Sequence, residues 1–369
     1  MPKKLYKALA GILVIVSALS ISAYLPKNFI IKANNPIMIQ EYIYNEATFP
    51  SAHASSIAET PEGLIATWFG GTHEGHEDVE IWISRKIDGL WTAPISVANG
   101  LQHPDKRFPV WNPVLFQAPD GLLFLYYKVG PEPQKWWGMV ISSHDHGLTW
   151  SEPSRLPEGV FGPIKNKPEL LSNGTLINPS STEHDGWKVH FELSEDLGKT
   201  WQIVHLPEDK GLSAIQPSIL QYEDGRLQML ARSKEGYLVS SWSKDMGKRW
   251  ERLAQTSLPN PNSGTDAVTL NNGWQLLVYN HAVKSEDLWG GLRSPLNVAV
   301  SQDGLNWRAL VVLEDQPGEF SYPAVIQAKD GTVHITYTWN REKIKHVGLN
   351  ITDIDLLVLK EIKDGKWPL

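Results

Sequence analysis

Ser143-His-Asp145-His-Gly147-Leu-Thr149-Trp150 is the stretch on which the fold turns, because the chain repeats it. The same Ser-x-Asp-x-Gly-x-x-Trp spacing returns at Ser194–Trp201 and Ser243–Trp250, and one residue shorter at Ser301–Trp307. Reduced forms are Asp88-Gly89-Leu-Trp91 and Asp364-Gly365-Lys-Trp367. The tryptophans fall at 91, 150, 201, 250, 307 and 367, so the period is 49 to 60 residues. Repeats of this length signal an architecture of stacked units.

A second marker keeps step with the first. Each repeat contains two apolar runs joined at Glu62-Gly63, Asp120-Gly121, Asn173-Gly174, Asp224-Gly225, Asn272-Gly273 or Asp330-Gly331. Asp-Gly and Asn-Gly between apolar runs predict hairpins with type I′ turns. Each repeat then reads as four short strands; in the first these are His53–Glu59, Leu64–Phe69, Val79–Arg85 and Trp91–Ala98. One such sheet cannot bury both faces, so neighbours must stack. A β-sandwich array would also stack sheets, but four strands per repeat of about 50 residues fit propeller blades better. The expectation is an all-β, six-bladed propeller of four-stranded antiparallel blades over residues 45–369. Within it, Asp and Gly of the repeat shape a turn and Trp packs.

Composition narrows the function. With no cysteine among 369 residues, thiol catalysis, disulfides, Cys-bound zinc and iron–sulfur clusters are excluded. A formal net charge of -7 argues against a nucleic-acid surface. Lys3, Lys4 and Lys7 precede an uncharged run from Ala8 to Leu25, the pattern of an export signal or, uncleaved, of a membrane anchor over residues 1–25. The protein is therefore expected to be periplasmic, extracellular or held at the membrane by that segment alone.

In a propeller, the start of the first strand and the loop between the second and third strands of every blade face one end of the axis. The residues expected there begin with His53 and the loop Thr72-His73-Glu74-Gly75-His76-Glu77-Asp78. Trp111, Asn112 and Lys128 follow in the second repeat, and Lys165, Asn166, Lys167 and Glu183 in the third. Later repeats add Gln216, Arg232, Ser263, Asp266, His281, Arg293, Glu319, Tyr322 and Arg341. Cations, carboxylates and aromatics in one mouth suit an anionic sugar, since a guanidinium binds a carboxylate through two parallel hydrogen bonds. His73 and His76 lack the His-Glu-x-x-His spacing of a helical zinc site, and neither a phosphate loop nor a nucleophile elbow occurs. No metal and no cofactor is expected. Trp68, Trp82 and Trp242 are expected in the core, whereas Trp111, Trp136, Trp137, Trp289 and Trp339 fall near the mouth, where flat rings stack on sugars.

The repeated turns resemble the Asp-boxes, or bacterial neuraminidase repeats, of six-bladed sialidase-type propellers, and the likeness covers residues 45–369. Trp68–Thr72, Gly162–Pro168 and Pro259–Asp266 are similar to a subgroup of predicted neuraminidases. The resemblance implies three arginines on the substrate carboxylate, a Tyr nucleophile partnered by a Glu, and an Asp as acid/base. By blade and strand position it assigns Arg232 and Arg293 to the second and third arginines, Tyr322 to the nucleophile and Asp78 to the acid/base. Two positions depart from the pattern: His53 stands for the first arginine, and Gln216 for the Glu that activates Tyr. Gln cannot take a proton, so His53 or Glu183 is the candidate base. The sequence thus implies an exo-acting hydrolase of a terminal acidic sugar, sialic acid or a uronate. A non-catalytic glycan-binding propeller and a uronate lyase are the alternatives.

Overall fold

The computed structural model describes residues 35–207, 211–285, 291–352, 354 and 359–368. The expected export segment at 1–25 lies outside them. Six four-stranded antiparallel units make up the described chain. The first is Ser51–Thr60, Gly63–Gly71, Glu80–Ile87 and Ile95–Ala98, with Leu90–Trp91 as an added short strand. The second is Val110–Gln117, Leu123–Val129, Trp137–Ser143 and Ser154–Arg155; the third is Glu169–Leu170, Leu176–Thr182, Lys188–Ser194 and Gln202–His205. Ala214–Gln221, Leu227–Ser233, Tyr237–Ser243 and Ala254–Pro259 form the fourth. The fifth comprises Asp266–Thr269, Gln275–Tyr279, Leu296–Ser301 and Arg308–Glu314, with Lys360–Glu361 added at its outer edge. Phe320–Gln327, Val333–Trp339 and Lys343–Leu349 are the first three strands of the sixth.

The fourth strand of the sixth blade comes from the other end of the chain. Ile37–Tyr42 pairs antiparallel with Lys343–Leu349, so both ends of the chain close the ring. This strand lies upstream of residue 45. It also corrects the reading of Asp364-Gly365-Lys-Trp367 as the outer turn of the sixth blade: Trp367 packs with Leu230, Leu277 and Trp307 between the fourth and fifth blades. The polar tie behind the closure runs from His334 Nδ1 to His346 Nε2 (2.9 Å) and from His346 Nδ1 to Glu41 Oε1 (2.9 Å).

Packing is organised between blades. Among the described residues, seven hydrophobic clusters span the six junctions between neighbours, two of them between the second and third blades; one joins Ile65, Ile81 and Ile83 of the first blade with Leu115 and Leu125 of the second. Val278 and Val298 of the fifth likewise meet Ile335 and Val347 of the sixth. Alternate residues of each strand therefore point to opposite neighbours, which is why the strands read as nearly continuous apolar runs.

The repeated octapeptide is a closed hydrogen-bonded turn. Ser143 Oγ donates to Asp145 Oδ1 (2.8 Å) and accepts from the Gly147 amide (2.8 Å). The Asp145 carboxylate also accepts from the Thr149 amide and hydroxyl. His146 and Gly147 take φ of 60° and 86°, a conformation in which glycine carries no Cβ penalty. A Cβ on Gly147 would lie 2.5 Å from Ile65 of the preceding blade, so the turn doubles as a blade-to-blade contact. Trp250 continues that contact by stacking on Phe191 at 4.0 Å, and Trp307 is buried between the fourth and fifth blades.

The turns between first and second strands differ from the type I′ expectation. In five blades they are three-residue loops in which only glycine has positive φ, as at Gly121, Gly174, Gly225, Gly273 and Gly331. The Gly121 amide donates to the Ala118 carbonyl (3.1 Å) and the Ala118 amide to the Leu122 carbonyl (2.9 Å), a type I turn closed by a glycine bulge. The Asp or Asn before each glycine accepts a local amide, as Asp120 Oδ1 does from Leu122, and has no need of the left-handed region. Positive φ at both central residues occurs at Asp88-Gly89 and Asp364-Gly365.

Candidate active site

Four inner strands carry a non-glycine residue in the left-handed region near the mouth: Ala54, Asn112, Gln216 and Tyr322, with φ of 54°, 42°, 58° and 51°. Pairing to the second strand slips at each one, so these are β-bulges. A bulge re-aims a side chain, and backbone strain of this kind costs about 1–3 kcal/mol per residue. Three of the four precede proline (Pro113, Pro217, Pro323). Proline has no amide to leave unpaired where the ladder breaks.

Tyr322 is the centre of the mouth. It is only 8 % exposed, and its hydroxyl makes no hydrogen bond among the described residues. His53 lies against its ring at 4.3 Å between centroids. The Arg232 and Arg293 guanidinium carbons stand 5.4 and 5.6 Å from the ring centroid, and the Lys165 ammonium 5.8 Å. A Cβ on Gly264 would come within 3.2 Å of the ring, so glycine there lets the backbone approach.

The arginines are held by carboxylates. Arg293 Nη1 donates to Glu319 Oε1 (2.8 Å), and Arg341 Nε donates to both Glu319 oxygens (3.0 and 3.1 Å). Arg341 Nη1 also donates to Glu74, tying the first-blade loop to the sixth blade. Burial disfavours the Glu319 charge, but Arg293 and Arg341 outweigh it and hold the carboxyl below its usual range. Arg232 lies over the Trp187 ring at 5.0 Å, and Trp187 Nε1 donates to Glu183 (2.8 Å). Glu183 is thus turned toward Trp187.

His53 is buried, with Nδ1 2.9 Å from Thr338 Oγ1 and Nε2 without a partner. Burial, followed by the positive charges of Arg341, Arg293, Arg232 and Lys165, drives its pKa well below the ordinary value, so the imidazole is neutral. Further buried polar atoms without partners occur on Gln216 (Oε1), Arg232 (Nε), Asn262 (Oδ1) and Ser263 (Oγ). Buried polar groups are normally satisfied, so these atoms are unused hydrogen-bonding capacity at the mouth; others lie elsewhere in the ring, as on Trp68 Nε1 and Trp150 Nε1.

Asp78 lies at the end of the first-blade loop. Its carboxylate accepts from the Thr72 amide (3.0 Å) and hydroxyl (2.6 Å), and His76 Nδ1 is 2.8 Å from Oδ1. Burial is the largest single influence and raises its pKa, but the bonds from Thr72 and His76 together outweigh it and lower the pKa. Gly75 rests on Trp111, whose indole donates to the Gly130 carbonyl (2.9 Å). His73 and His76 face each other edge-on at 5.1 Å, and among the described residues no group of three potential metal ligands forms.

Other expected site residues are engaged elsewhere. Lys128 is fully buried and donates to the Pro163 carbonyl; burial pushes its pKa down to about 7. Lys165 spends its three protons on Asn166 Oδ1, the Thr265 carbonyl and the Pro323 carbonyl, joining the third, fifth and sixth blades beneath Tyr322. Lys167 meets Asp266, which also accepts from Ser218 and the Val325 amide, so this pair pins the blades together at the axis. His281 bonds Tyr279 and the Gly365 carbonyl and so holds the C-terminal turn. Asn112 is buried at its bulge. Trp111 and Trp136 are buried together with Ile164, Trp137 packs on Phe108 and Arg155, and Trp339 on Tyr42 and Phe320. Trp289 is outside the described residues. Each of the described rings in this group packs on other side chains, and Trp137 and Trp339 are only partly buried. Trp187 and Thr338, which sequence reasoning gave no role, are in the constellation; the bulge prolines are the signal that could have marked the inner strands.

The sequence model of a family described as a BNR repeat-like domain matches residues 62–335. A search of the curated proteins finds no match. Among solved structures, a protein of unknown function from Dyadobacter fermentans superposes with a TM-score of 0.69 at 17 % identity, over 85 % of this chain and 98 % of its own. A Hadza microbial sialidase gives 0.66 at 19 % identity, over 82 % of this chain and 66 % of its own. The NanB sialidase from Streptococcus pneumoniae gives 0.65 at 12 % identity, over 86 % and 71 %.

Proposed function

Because the chain belongs to the BNR repeat-like family and has the sialidase-type propeller fold, we propose that it hydrolyses a terminal acidic sugar, a sialic acid or a uronate, from a glycan. The observation that carries this reading is Tyr322, buried yet free at its hydroxyl, within 6 Å of Arg232, Arg293 and Lys165. Such a collar attracts a carboxylate and stabilises negative charge without reorganisation. Arg232 and Arg293 bind the sugar carboxylate, with Arg341 beside them through Glu319. The Tyr322 oxygen attacks the anomeric carbon. The position of His53, against the Tyr322 ring and with Nε2 unpaired among the described residues, supports a role as acceptor of the phenolic proton, for which Gln216 has no chemistry. The first-blade loop protonates the leaving oxygen, and a water then releases the sugar.

A β-eliminating uronate lyase is a second reading, favoured by one observation: a neutral His53 beside Tyr322 with no carboxylate between them. A panel of sialylated and uronate-terminated glycans, incubated with the purified protein and followed by mass spectrometry, separates the readings. Free acidic sugar with a gain of water supports hydrolysis, and an unsaturated product absorbing in the ultraviolet supports elimination. Saturable binding with no product makes the propeller a glycan-binding module. The basic and then apolar N-terminus supports export, which cell fractionation tests.

A further inference from the structure

The Asp78 carboxylate is a poor proton donor as it stands. Its Oδ1 is occupied by the Thr72 amide and His76, and its Oδ2 by the Thr72 hydroxyl. Three donors around one carboxylate stabilise its ionised form, and its pKa is accordingly lowered despite a raising contribution from burial. His76 Nδ1 is engaged by Asp78 alone, 2.8 Å from its Oδ1 and 3.2 Å from its backbone amide. Nε2 makes no hydrogen bond among the described residues and is the ring nitrogen left open to a substrate. The side chains are 38 % and 44 % exposed, so solvent reaches both beside the mouth. The loop is anchored over it on two sides, by Glu74 to Arg341 and by Gly75 against Trp111.

Resting on the hydrolase reading above, we infer that His76 is the proton donor to the leaving group and that Asp78 orients it. In the first step the glycosidic C–O bond breaks, its electron pair stays on the aglycone oxygen, and that oxygen takes the proton from His76 Nε2. The Tyr322 oxygen bonds to the anomeric carbon and its proton passes to His53. In the second step His76 Nε2 takes a proton from water, whose hydroxyl bonds to the anomeric carbon. The Tyr322 oxygen leaves and recovers its proton from His53, and both histidines return to their starting states. Arrangements of this kind use a carboxylate to hold the imidazole and stabilise its charged form.

The test compares leaving groups. N-acetylneuraminic acid and glucuronic acid are each presented as the 4-methylumbelliferyl glycoside and linked to galactose. The umbelliferyl group departs without a proton, whereas galactose needs one. His76→Gln is expected to lose at least about 100-fold in kcat/KM on the galactose-linked sugar and less than about tenfold on the umbelliferyl one. Asp78→Asn should follow the same pattern more weakly, and His144→Gln, an exposed residue at the Asp-box end, should leave both rates near wild type. Equal losses of His76→Gln on both substrates, or no loss on either, overturn the assignment while Tyr322→Phe still tests the hydrolase reading separately. Absence of sugar release by the wild-type protein from all four substrates overturns both.

Discussion

At the Asp-box end of the ring, Asp145, Asp196, Asp245 and Asp303 each accept from local amides and a neighbouring side chain within their own turn. At the mouth end, His53 Nε2, Gln216 Oε1, Arg232 Nε and Ser263 Oγ are buried without a partner, and Tyr322 sits on a strained backbone. Both ends are rich in polar residues, and both are built from repeated elements. Buried atoms without partners among the described residues also occur at the Asp-box end, on His146 Nδ1, Trp150 Nε1 and Trp201 Nε1, so the difference lies in the carboxylates, which there are satisfied within their own turns. Networks closed on themselves hold the fold, whereas unspent hydrogen-bonding capacity, kept in place by strain and buried cations, is held for something outside the chain.

The comparison breaks most sharply at Tyr322. Tyr322→Phe removes one oxygen that makes no hydrogen bond among the described residues, so melting should barely change while sugar release falls by at least about 10⁴-fold, or about 5 kcal/mol. Loss of fold in that variant would erase the distinction between the two ends. The converse substitution is Trp307→Ala, which empties space between the fourth and fifth blades and should cost about 3–5 kcal/mol in denaturant unfolding with KM unchanged. A smaller effect is expected from Ser143→Ala. It deprives the Gly147 amide of its acceptor and should cost about 1–2 kcal/mol, again without a change in activity at low temperature.

Acid should weaken the ring at its closure. Burial, with His346 adding to it, lowers the His334 pKa from 6.5 to about 4, and burial also lowers that of His346. Between these limits the unfolded chain takes up protons that the folded chain refuses, so stability is full above about pH 6.5 and declines toward pH 4. By pH 5.5 His334 alone accounts for about 1 kcal/mol. The melting temperature should therefore drop on acidification, and His334→Asn should flatten that drop. A stability independent of pH over this range would remove the closure from the account.

Much of the architecture was legible because propeller blades repeat their own punctuation. Ser-x-Asp-x-Gly-x-x-Trp and the glycine turns marked six units, and the first blade's strands matched the structure within about two residues at most ends. The ring closure by Ile37–Tyr42 was not legible, since a strand that pairs with a partner some 300 residues away leaves no local signal. Trp367 misled for a related reason: a short Asp-Gly turn with a following Trp looks alike wherever it docks. At the site, Tyr322, His53, Arg232 and Arg293 were identified from blade position. Lys128, Lys167 and Asp266 share that position but are drawn inward, because a buried charge finds its partner in the neighbouring blade. The sequence holds no record of which blade faces which charge, and that decides whether a polar residue meets substrate or its own chain.

The central claim is that the unspent polar end acts on an anionic sugar through Tyr322. Its most direct test is to incubate the protein with fluorinated acidic-sugar fluorides, in sialic acid and glucuronic acid forms, which slow release of a glycosyl–enzyme intermediate, and to map the adduct by peptide mass spectrometry. The account predicts one sugar mass on the peptide bearing Tyr322, absent in Tyr322→Phe. Turnover of acidic glycans to free sugar without an adduct at Tyr322, or an adduct on another residue, would contradict it.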